Sequence, residues 1–201
     1  MIHHERFIAS SSQGKQGWLD ARQWGVTATT VARAATPRGF EGETIEKGED
    51  SGPIEGNAYM DFGNAQEPFI AAWVKQECGI MPNDWLISSS SDNQRYMATP
   101  DGLSLDHTEI AEIKTTGKDF VELKGVPIHY RRQIQWQLFC TGAQRCLFAW
   151  LLRAEVNGRM IPAWLEPKSF WIERDQREMD QLLEVADRLL EWRKQNGTVQ
   201  S

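Results

Sequence analysis

The 201-residue sequence is poor in cysteine, and its three thiols form neither a metal-binding nor a disulfide pattern. Cys78, Cys140 and Cys146 contain no Cys-x-x-Cys pair, and an odd number argues against a disulfide framework. Structural zinc sites and cysteine-bound iron–sulfur clusters are therefore disfavoured. Cys140 and Cys146 lie in apolar stretches, which predicts buried core thiols.

Long apolar runs, repeats and nucleotide-binding motifs are also absent. No stretch of about 18 apolar residues occurs, which is the length of a transmembrane helix. Residues 1–6 contain no apolar signal segment, so we predict a cytoplasmic protein without membrane contact. The apolar share of 40% and the charged share of 25% predict one globular domain over residues 1–201.

Positive charge is scarce: the chain has 22 Lys and Arg and 28 Asp and Glu, so its net charge is −6. Taken alone, this balance argues against a nucleic-acid partner. The distribution is uneven, however. Residues 114–132 hold five basic and two acidic side chains, whereas residues 173–193 hold four basic and seven acidic ones. A local basic surface after residue 114 suits an anionic substrate.

The sequence does contain a concentration of opposite charges between residues 98 and 116. Residues 109–114 alternate with a period of two, which predicts one strand of a hairpin. Glu112 and Lys114 then share a face, and closure of the hairpin brings Asp101 near Glu112. Two close carboxylates need a neutralising partner, and Mg²⁺ takes one or two carboxylates with waters and phosphate oxygens. A solvated surface hairpin with a weak ion pair is the alternative.

A helix predicted over residues 59–77 supplies a third acid, Glu67. The helix has an apolar stripe and stops at Gly79. Glu67 lies near that stripe and is either an ordinary solvated residue or a further ligand in a site for two ions. Lys114 beside a metal-bound water would orient or activate the nucleophile.

Two helices predicted between residues 16 and 35 form a candidate anion site. Arg22 lies four residues after Trp18, and the second helix begins near Thr27 or Thr29. A helix start with hydroxyl groups and a nearby Arg suits a phosphate. An ordinary helix cap with a surface Arg is the alternative.

A helix predicted over residues 127–139 carries two polar side chains on one face. Ile134 and Leu138 mark its apolar line, whereas Gln133 and Gln137 are four residues apart on another. Glutamines on a partly buried face need partners, which we expect to be a phosphate or the acidic site. Solvent exposure is the alternative.

The order of the elements predicts a mixed α/β fold with a central sheet flanked by helices. Residues 86–114 predict one small antiparallel meander, and residues 36–56, rich in Gly and Glu without apolar periodicity, predict a long mobile loop. Later strands are predicted at 144–152 and 164–173, and a closing helix at 174–196.

Five motifs in order resemble the YqaJ family of λ exonuclease-type phage recombination nucleases, within the PD-(D/E)xK superfamily. They are Trp18-x-x-x-Arg22 with Gly25-Val26-Thr27-Ala28-Thr29, Gly63-x-x-x-Glu67, Thr99-Pro100-Asp101-Gly102, Glu112-Ile113-Lys114, and Tyr130-x-x-Gln133-x-Gln135. A lone Glu-x-Lys is weak evidence, but five ordered motifs with compatible spacing are specific. The resemblance implies a restriction-endonuclease-like core.

The resemblance also implies an active site that binds two Mg²⁺ ions, with Mn²⁺ as a substitute. The implied metal ligands are Glu67, Asp101, Glu112 and the Ile113 carbonyl. Asp101 would bridge the ions and Lys114 would orient the attacking water, with Gln133 as a further catalytic residue. Other implied roles are a 5′-phosphate pocket and an apolar wedge between the DNA strands. The pocket residues are Arg22, Thr29, Thr99 and Gln133, and the wedge is Met60.

The implied activity is 5′→3′ digestion of one strand of linear double-stranded DNA. The remaining 3′ overhang would pass to a single-strand annealing protein, and the nuclease would form a homotrimeric ring. One alternative is a structure- or site-specific endonuclease with the same core. Another is a non-catalytic DNA-binding recombination protein, which is disfavoured because all four core residues are present. A Cas4-like iron–sulfur nuclease is disfavoured because three Cys cannot supply four thiolates.

Overall fold

The chain folds into helices packed on two β-sheets in the computed structural model, which describes residues 2–45, 57–89 and 93–196. The helices in these ranges are α1 Lys15–Gln23, α2 Ala28–Ala34, α3 Pro37–Thr44, α4 Ala58–Cys78, α5 Ile128–Thr141 and α6 Gln176–Gln195. The strands are β1 Phe7–Ser10, β2 Val26–Thr27, β3 Met81–Pro82, β4 Trp85–Ser88, β5 Tyr96–Ala98, β6 Gly102–Leu103, β7 Glu109–Thr116, β8 Arg145–Val156, β9 Arg159–Pro162 and β10 Lys168–Glu173.

The central sheet has the order β10-β8-β7-β6-β3, with β9 added as a hairpin on β8. Strands β7 and β8 run parallel, from Glu109 beside Arg145 to Thr116 beside Leu152, and the other pairs are antiparallel. A smaller sheet has the order β1-β4-β5-β2. The predicted mixed α/β fold with helices on the sheet is thus confirmed.

The single meander predicted over residues 86–114 is wrong, because its strands divide between the two sheets. Strands β4 and β5 belong to the smaller sheet, whereas β6 and β7 belong to the central one. The chain turns between them at a corner braced by Asn83. The Asn83 backbone N–H donates to the Asp101 carbonyl at 2.9 Å, and its side chain donates to the Pro100 carbonyl at 2.8 Å.

The long loop predicted over residues 36–56 is wrong in its first part, which forms helix α3. Thr36 caps this helix by accepting a hydrogen bond from the Gly39 N–H at 3.1 Å, and Pro37 occupies the first turn. The ring of Phe40 packs against α2 and α6. The Thr36 cap, the first-turn Pro37 and the packing of Phe40 favour a helix more than the Gly-rich composition disfavours one. Residues 46–56 lie outside the described residues.

Strand β7 lies between helices α4 and α5. Ala111 and Ile113 face Ile70 and Val74 of α4, whereas Ile110 packs with the buried face of α5. Helix α4 begins at an Asn57 cap. Its end at Gly79, where φ is 70°, is the predicted stop. The alternation of β7 therefore directs Glu112 and Lys114 toward α5.

Two further expectations concern the thiols and the helices. Cys140 and Cys146 are buried and free, as predicted for core thiols. In the described parts of the chain, every helix is too short or too polar to cross a lipid bilayer.

Candidate active site

Glu112 is the buried centre of the site. Only 1% of the residue is exposed, and its carboxylate accepts a hydrogen bond at Oε1 from the Lys114 ammonium. The prediction that these two side chains share a strand face is confirmed. A carboxylate buried to this degree requires compensating donors, because an unpaired buried charge is strongly destabilising.

Helix α5 supplies two of those donors. The side-chain amide of Gln133 donates to Glu112 Oε1 at 2.7 Å, and that of Gln137 donates to Glu112 Oε2 at 2.7 Å. Of the alternatives open for these glutamines, contact with the acidic site is therefore confirmed and solvent exposure is wrong. Their spacing of one helical turn lets both reach the same carboxylate.

Asp101 closes the hairpin against β7. Its Oδ2 accepts the Ile113 backbone N–H at 2.7 Å, which confirms that hairpin closure brings it beside Glu112 and Lys114. Burial, followed by the nearby charge of Glu112, raises the pKa of Asp101 to about 8, and Glu67 adds a smaller effect in the same direction. The acidic groups of the site therefore exceed what Lys114 neutralises.

Lys114 is held as a cation. Burial on its own would lower the pKa of Lys114, but the charges of Glu112 and Asp101 outweigh burial and raise it overall. The ammonium also lies 5.5 Å from the centre of the Tyr130 ring. Lys114 therefore carries its proton at neutral pH and acts here as a charge and a hydrogen-bond donor.

Glu67 lies at the rim of the cleft, on the exposed face of α4. It lines two hollows, which together form the cleft. One, of about 450 Å³, is also lined by Met60, Ile113 and Lys114, and the other, of about 540 Å³, by Asp101. Within the described ranges, no three carboxylate, imidazole or thiol groups already stand close enough together to hold a metal ion. Glu67 thus shares a hollow with Asp101 but does not complete a cluster with the two acids.

The residues present suit a divalent cation. Asp101 and Glu112 offer hard oxygen atoms and repel one another, as the raised pKa of Asp101 shows. Mg²⁺ is commonly bound by one or two carboxylates, with waters and substrate phosphates filling its other positions. Glu67 and the Ile113 carbonyl, at the edge of the same cleft, would be further ligands.

Arg22 lies in a separate hollow of about 440 Å³, between α1, α2, α3 and α6. Its guanidinium stacks on the Trp18 ring at 4.3 Å, and burial lowers the pKa of Arg22. The hydroxyl residues that line this hollow are Thr27 and Thr30. The other three predicted phosphate ligands, Thr29, Thr99 and Gln133, do not line it.

Thr29 and Thr99 occupy different positions. Thr29 is half-buried in the first turn of α2, and Thr99 lies between β5 and Asp101. The Thr99 hydroxyl is buried and has no hydrogen-bond partner among the described residues, and the same holds for the Trp18 indole N–H. Both are unsatisfied polar groups of a kind that a ligand would satisfy.

Sequence reasoning missed one basic residue of the cleft, Arg153. Its guanidinium donates to the Thr115 carbonyl at 2.6 Å and stacks on the Tyr59 ring at 4.8 Å. Both residues line the same hollow as Lys114 and Met60. Only the parallel pairing of β8 with β7 brings Arg153 there, so no local pattern pointed to it.

The raised pKa of Asp101 predicts how the metal-free protein responds to pH. Between the ordinary value of 3.8 and about 8, the folded state keeps a proton that the unfolded state has released. Because the unfolded state then binds fewer protons, the free energy of unfolding falls as pH rises through this window and levels off above it. We expect the melting temperature in EDTA to fall by several degrees between about pH 6 and pH 8.

Two comparisons isolate the contribution of Asp101. Asp101→Asn should remove most of this slope, and added Mg²⁺ should stabilise the wild type more at pH 8 than at pH 6, because a cation competes with the proton. A slope that is identical in Asp101→Asn and wild type would contradict this assignment.

The chain is similar to a known protein family and to several solved structures. The YqaJ-like viral recombinase domain matches residues 17–144. An alkaline exonuclease, LHK-Exo from Laribacter hongkongensis, superposes with a TM-score of 0.71 at 26% identity, over 90% of this chain and 93% of that chain. A second structure of LHK-Exo, in complex with dAMP, gives 0.59 at 25% identity over 90% and 98% of the two chains.

A more distant structure shows the fold alone. It is a phage-related exonuclease from Haemophilus somnus 129PT, with a TM-score of 0.61 at 13% identity, over 85% of this chain and 94% of that chain. No curated protein matches the chain.

Proposed function

Because the chain belongs to the YqaJ-like viral recombinase family and is a nuclease of the phage exonuclease type, we propose that it is a Mg²⁺-dependent 5′→3′ exonuclease. Its substrate is linear double-stranded DNA, of which it degrades one strand. The observation that supports this most is the pair of carboxylates, buried Glu112 and half-buried Asp101, with the Lys114 ammonium beside Glu112.

The reaction is hydrolysis of a phosphodiester. Two Mg²⁺ ions, when bound, supply charge neutralisation and lower the pKa of a bound water. Asp101, Glu112, Glu67 and the Ile113 carbonyl would hold them. Lys114, as a protonated ammonium, orients the attacking water and balances negative charge that develops on the phosphate. Gln133, which donates a hydrogen bond to Glu112, keeps that carboxylate in place beside the cleft.

The end of the DNA is recognised at the N-terminal helices. Arg22 binds the 5′-terminal phosphate, with hydroxyl groups of Thr29 and Thr99 as further donors. The unsatisfied Thr99 hydroxyl supports this role. The hollow around Arg22 is itself lined by two further hydroxyl residues, Thr27 and Thr30. Met60, 46% exposed at the mouth of the cleft, is the wedge that parts the strands.

Assembly and partners complete the proposal. Three copies form a ring around the duplex, which keeps the enzyme on its substrate, and the 3′ overhang passes to a single-strand annealing protein in the cytoplasm. The acidic residues of α6 would face away from the DNA, so that the net charge of −6 does not oppose binding.

One assay tests direction, end-dependence and metal dependence together. Linear duplex labelled at the 5′ or the 3′ end is incubated with Mg²⁺, beside a covalently closed circle. We expect immediate release of the 5′ label as a mononucleotide, retention of the 3′ label in a long single strand, an intact circle, and complete loss of digestion in EDTA. Cleavage of the circle would instead favour the endonuclease.

A second arm of the assay addresses the 5′ end. Digestion of 5′-phosphorylated duplex should exceed that of 5′-hydroxyl duplex, and Arg22→Ala should reduce only the former. Arg33→Ala, on the exposed face of α2, is the control and should leave the preference unchanged. Equal loss on both end types in Arg22→Ala would exclude the phosphate role.

A further inference from the structure

Gln137 lies directly behind Glu112, and none of the sequence motifs includes it. We propose that Gln137 is a positioning residue. It fixes one oxygen of Glu112 in the protein interior and thereby presents the other oxygen to a divalent cation in the cleft. This inference rests on the proposed Mg²⁺ site.

The two oxygens of Glu112 have different surroundings. Oε2 accepts from the Gln137 amide at 2.7 Å, on a residue that is only 1% exposed. Oε1 accepts from Gln133 and Lys114, and Lys114 lines the hollow of about 450 Å³. Gln137 therefore holds one oxygen in the interior, and the other oxygen lies beside Lys114, which lines the cleft.

The unsatisfied atom of Gln137 indicates why an amide is present at this position. Its side-chain oxygen is buried and has no hydrogen-bond partner among the described residues. The opposite amide orientation would set this oxygen against the Glu112 carboxylate, which only accepts hydrogen bonds when ionised. If packing were the only role, an apolar side chain would fill the space without a buried unsatisfied oxygen. Donation to Glu112 is thus the function of the side chain.

Gln135 shows what a structural glutamine on the same helix looks like. It is also buried, at 2% exposure, but its amide nitrogen donates to the Glu173 carbonyl and its oxygen accepts from the Asp175 N–H, both at 2.8 Å. Both ends are satisfied, and neither bond involves the acidic site. Gln135 therefore joins α5 to the segment between β10 and α6 and provides a matched control for Gln137.

Fixing Oε2 has a consequence for metal binding. Without Gln137, the carboxylate could rotate and share both oxygens with Lys114 and Gln133, in place of a cation. Groups that orient a metal ligand in this way typically change metal affinity 10- to 100-fold when removed. We therefore expect the effect of Gln137 to lie mainly in the Mg²⁺ requirement.

The test measures Mg²⁺ binding without using catalysis. The melting temperature is recorded against Mg²⁺ concentration for wild type, Gln137→Leu and Gln135→Leu. We expect Gln137→Leu to raise the Mg²⁺ concentration for half-maximal stabilisation by about tenfold or more. Gln135→Leu should lower the melting temperature in EDTA and leave that concentration unchanged. Digestion of linear duplex by Gln137→Leu should recover largely at high Mg²⁺.

The outcomes separate this inference from the function on which it rests. If the wild type shows no stabilisation by Mg²⁺, the proposed metal site itself fails. The positioning role is overturned if Mg²⁺ stabilises the wild type but the Mg²⁺ concentration for half-maximal stabilisation of Gln137→Leu stays within about twofold of the wild-type value. It is also overturned if Gln135→Leu changes that concentration as much as Gln137→Leu does. Gln137→Met, which is unbranched and similar in length, replaces Gln137→Leu if the latter does not fold.

Discussion

Replacing Lys114 with alanine is expected to reduce Mg²⁺-dependent digestion of linear duplex DNA by about a thousandfold. The substitution removes the only cation that contacts Glu112 among the described residues, together with the donor proposed for the attacking water. Asp101→Ala should cause a loss of similar size, because it removes one of the two carboxylates that meet at β7. Initial rates on 5′-labelled duplex at saturating Mg²⁺ measure both effects.

Lys168→Ala is the matched control for this prediction. Lys168 is also paired with a carboxylate, Asp119 at 2.7 Å, but it is half-exposed and lies on β10. Surface pairs of this kind contribute little, so both activity and stability should stay close to wild type. A rate near wild type in Lys114→Ala or Asp101→Ala would exclude these residues from the chemistry.

The largest expected effect on stability is that of Trp136→Ala, at about 3–5 kcal/mol of the free energy of unfolding. Trp136 is fully buried, its ring packs against Tyr96 and Phe139, and its indole N–H donates to the Met97 carbonyl at 3.1 Å. Truncation leaves a large cavity and removes this hydrogen bond. Because single domains are commonly stable by about 5–15 kcal/mol, the variant should be close to unfolding.

Urea unfolding of three variants provides the comparison. Trp136→Phe keeps a ring and loses the hydrogen bond, so it should fall between wild type and Trp136→Ala. Trp24→Ala, at a residue that is 41% exposed, should change stability by less than about 1 kcal/mol. A Trp136→Ala variant as stable as Trp24→Ala would contradict the packing described for α5.

Local sequence patterns predicted much of the site. The period-two alternation of residues 109–114 placed Glu112 and Lys114 on one face, and the helical spacing of Gln133 and Gln137 directed both toward one neighbour. These inferences depend only on the geometry of a strand and a helix. The stop of α4 at Gly79 was predictable from a local signal as well.

The features of the fold and the site that local patterns did not predict depend mostly on contacts between segments distant in the sequence. The division of residues 86–114 between two sheets is set at the Asn83 corner, and the parallel pairing of β7 with β8 leaves no periodic signal. Arg153 reaches the cleft only through that pairing. Helix α3 was missed for a different reason, because its Gly-rich composition concealed a capping Thr and a first-turn Pro.

The parallel pairing of β7 with β8 also has a consequence for biosynthesis. Every residue assigned to the cutting centre precedes Arg145, yet one edge of β7 has no partner strand until β8 pairs alongside it. On the ribosome, Asp101, Glu112 and Lys114 therefore emerge well before the strand that pairs with this edge. We expect the acidic centre to be completed late in translation, so that the growing polypeptide gains nuclease activity only when most of the protein has been made.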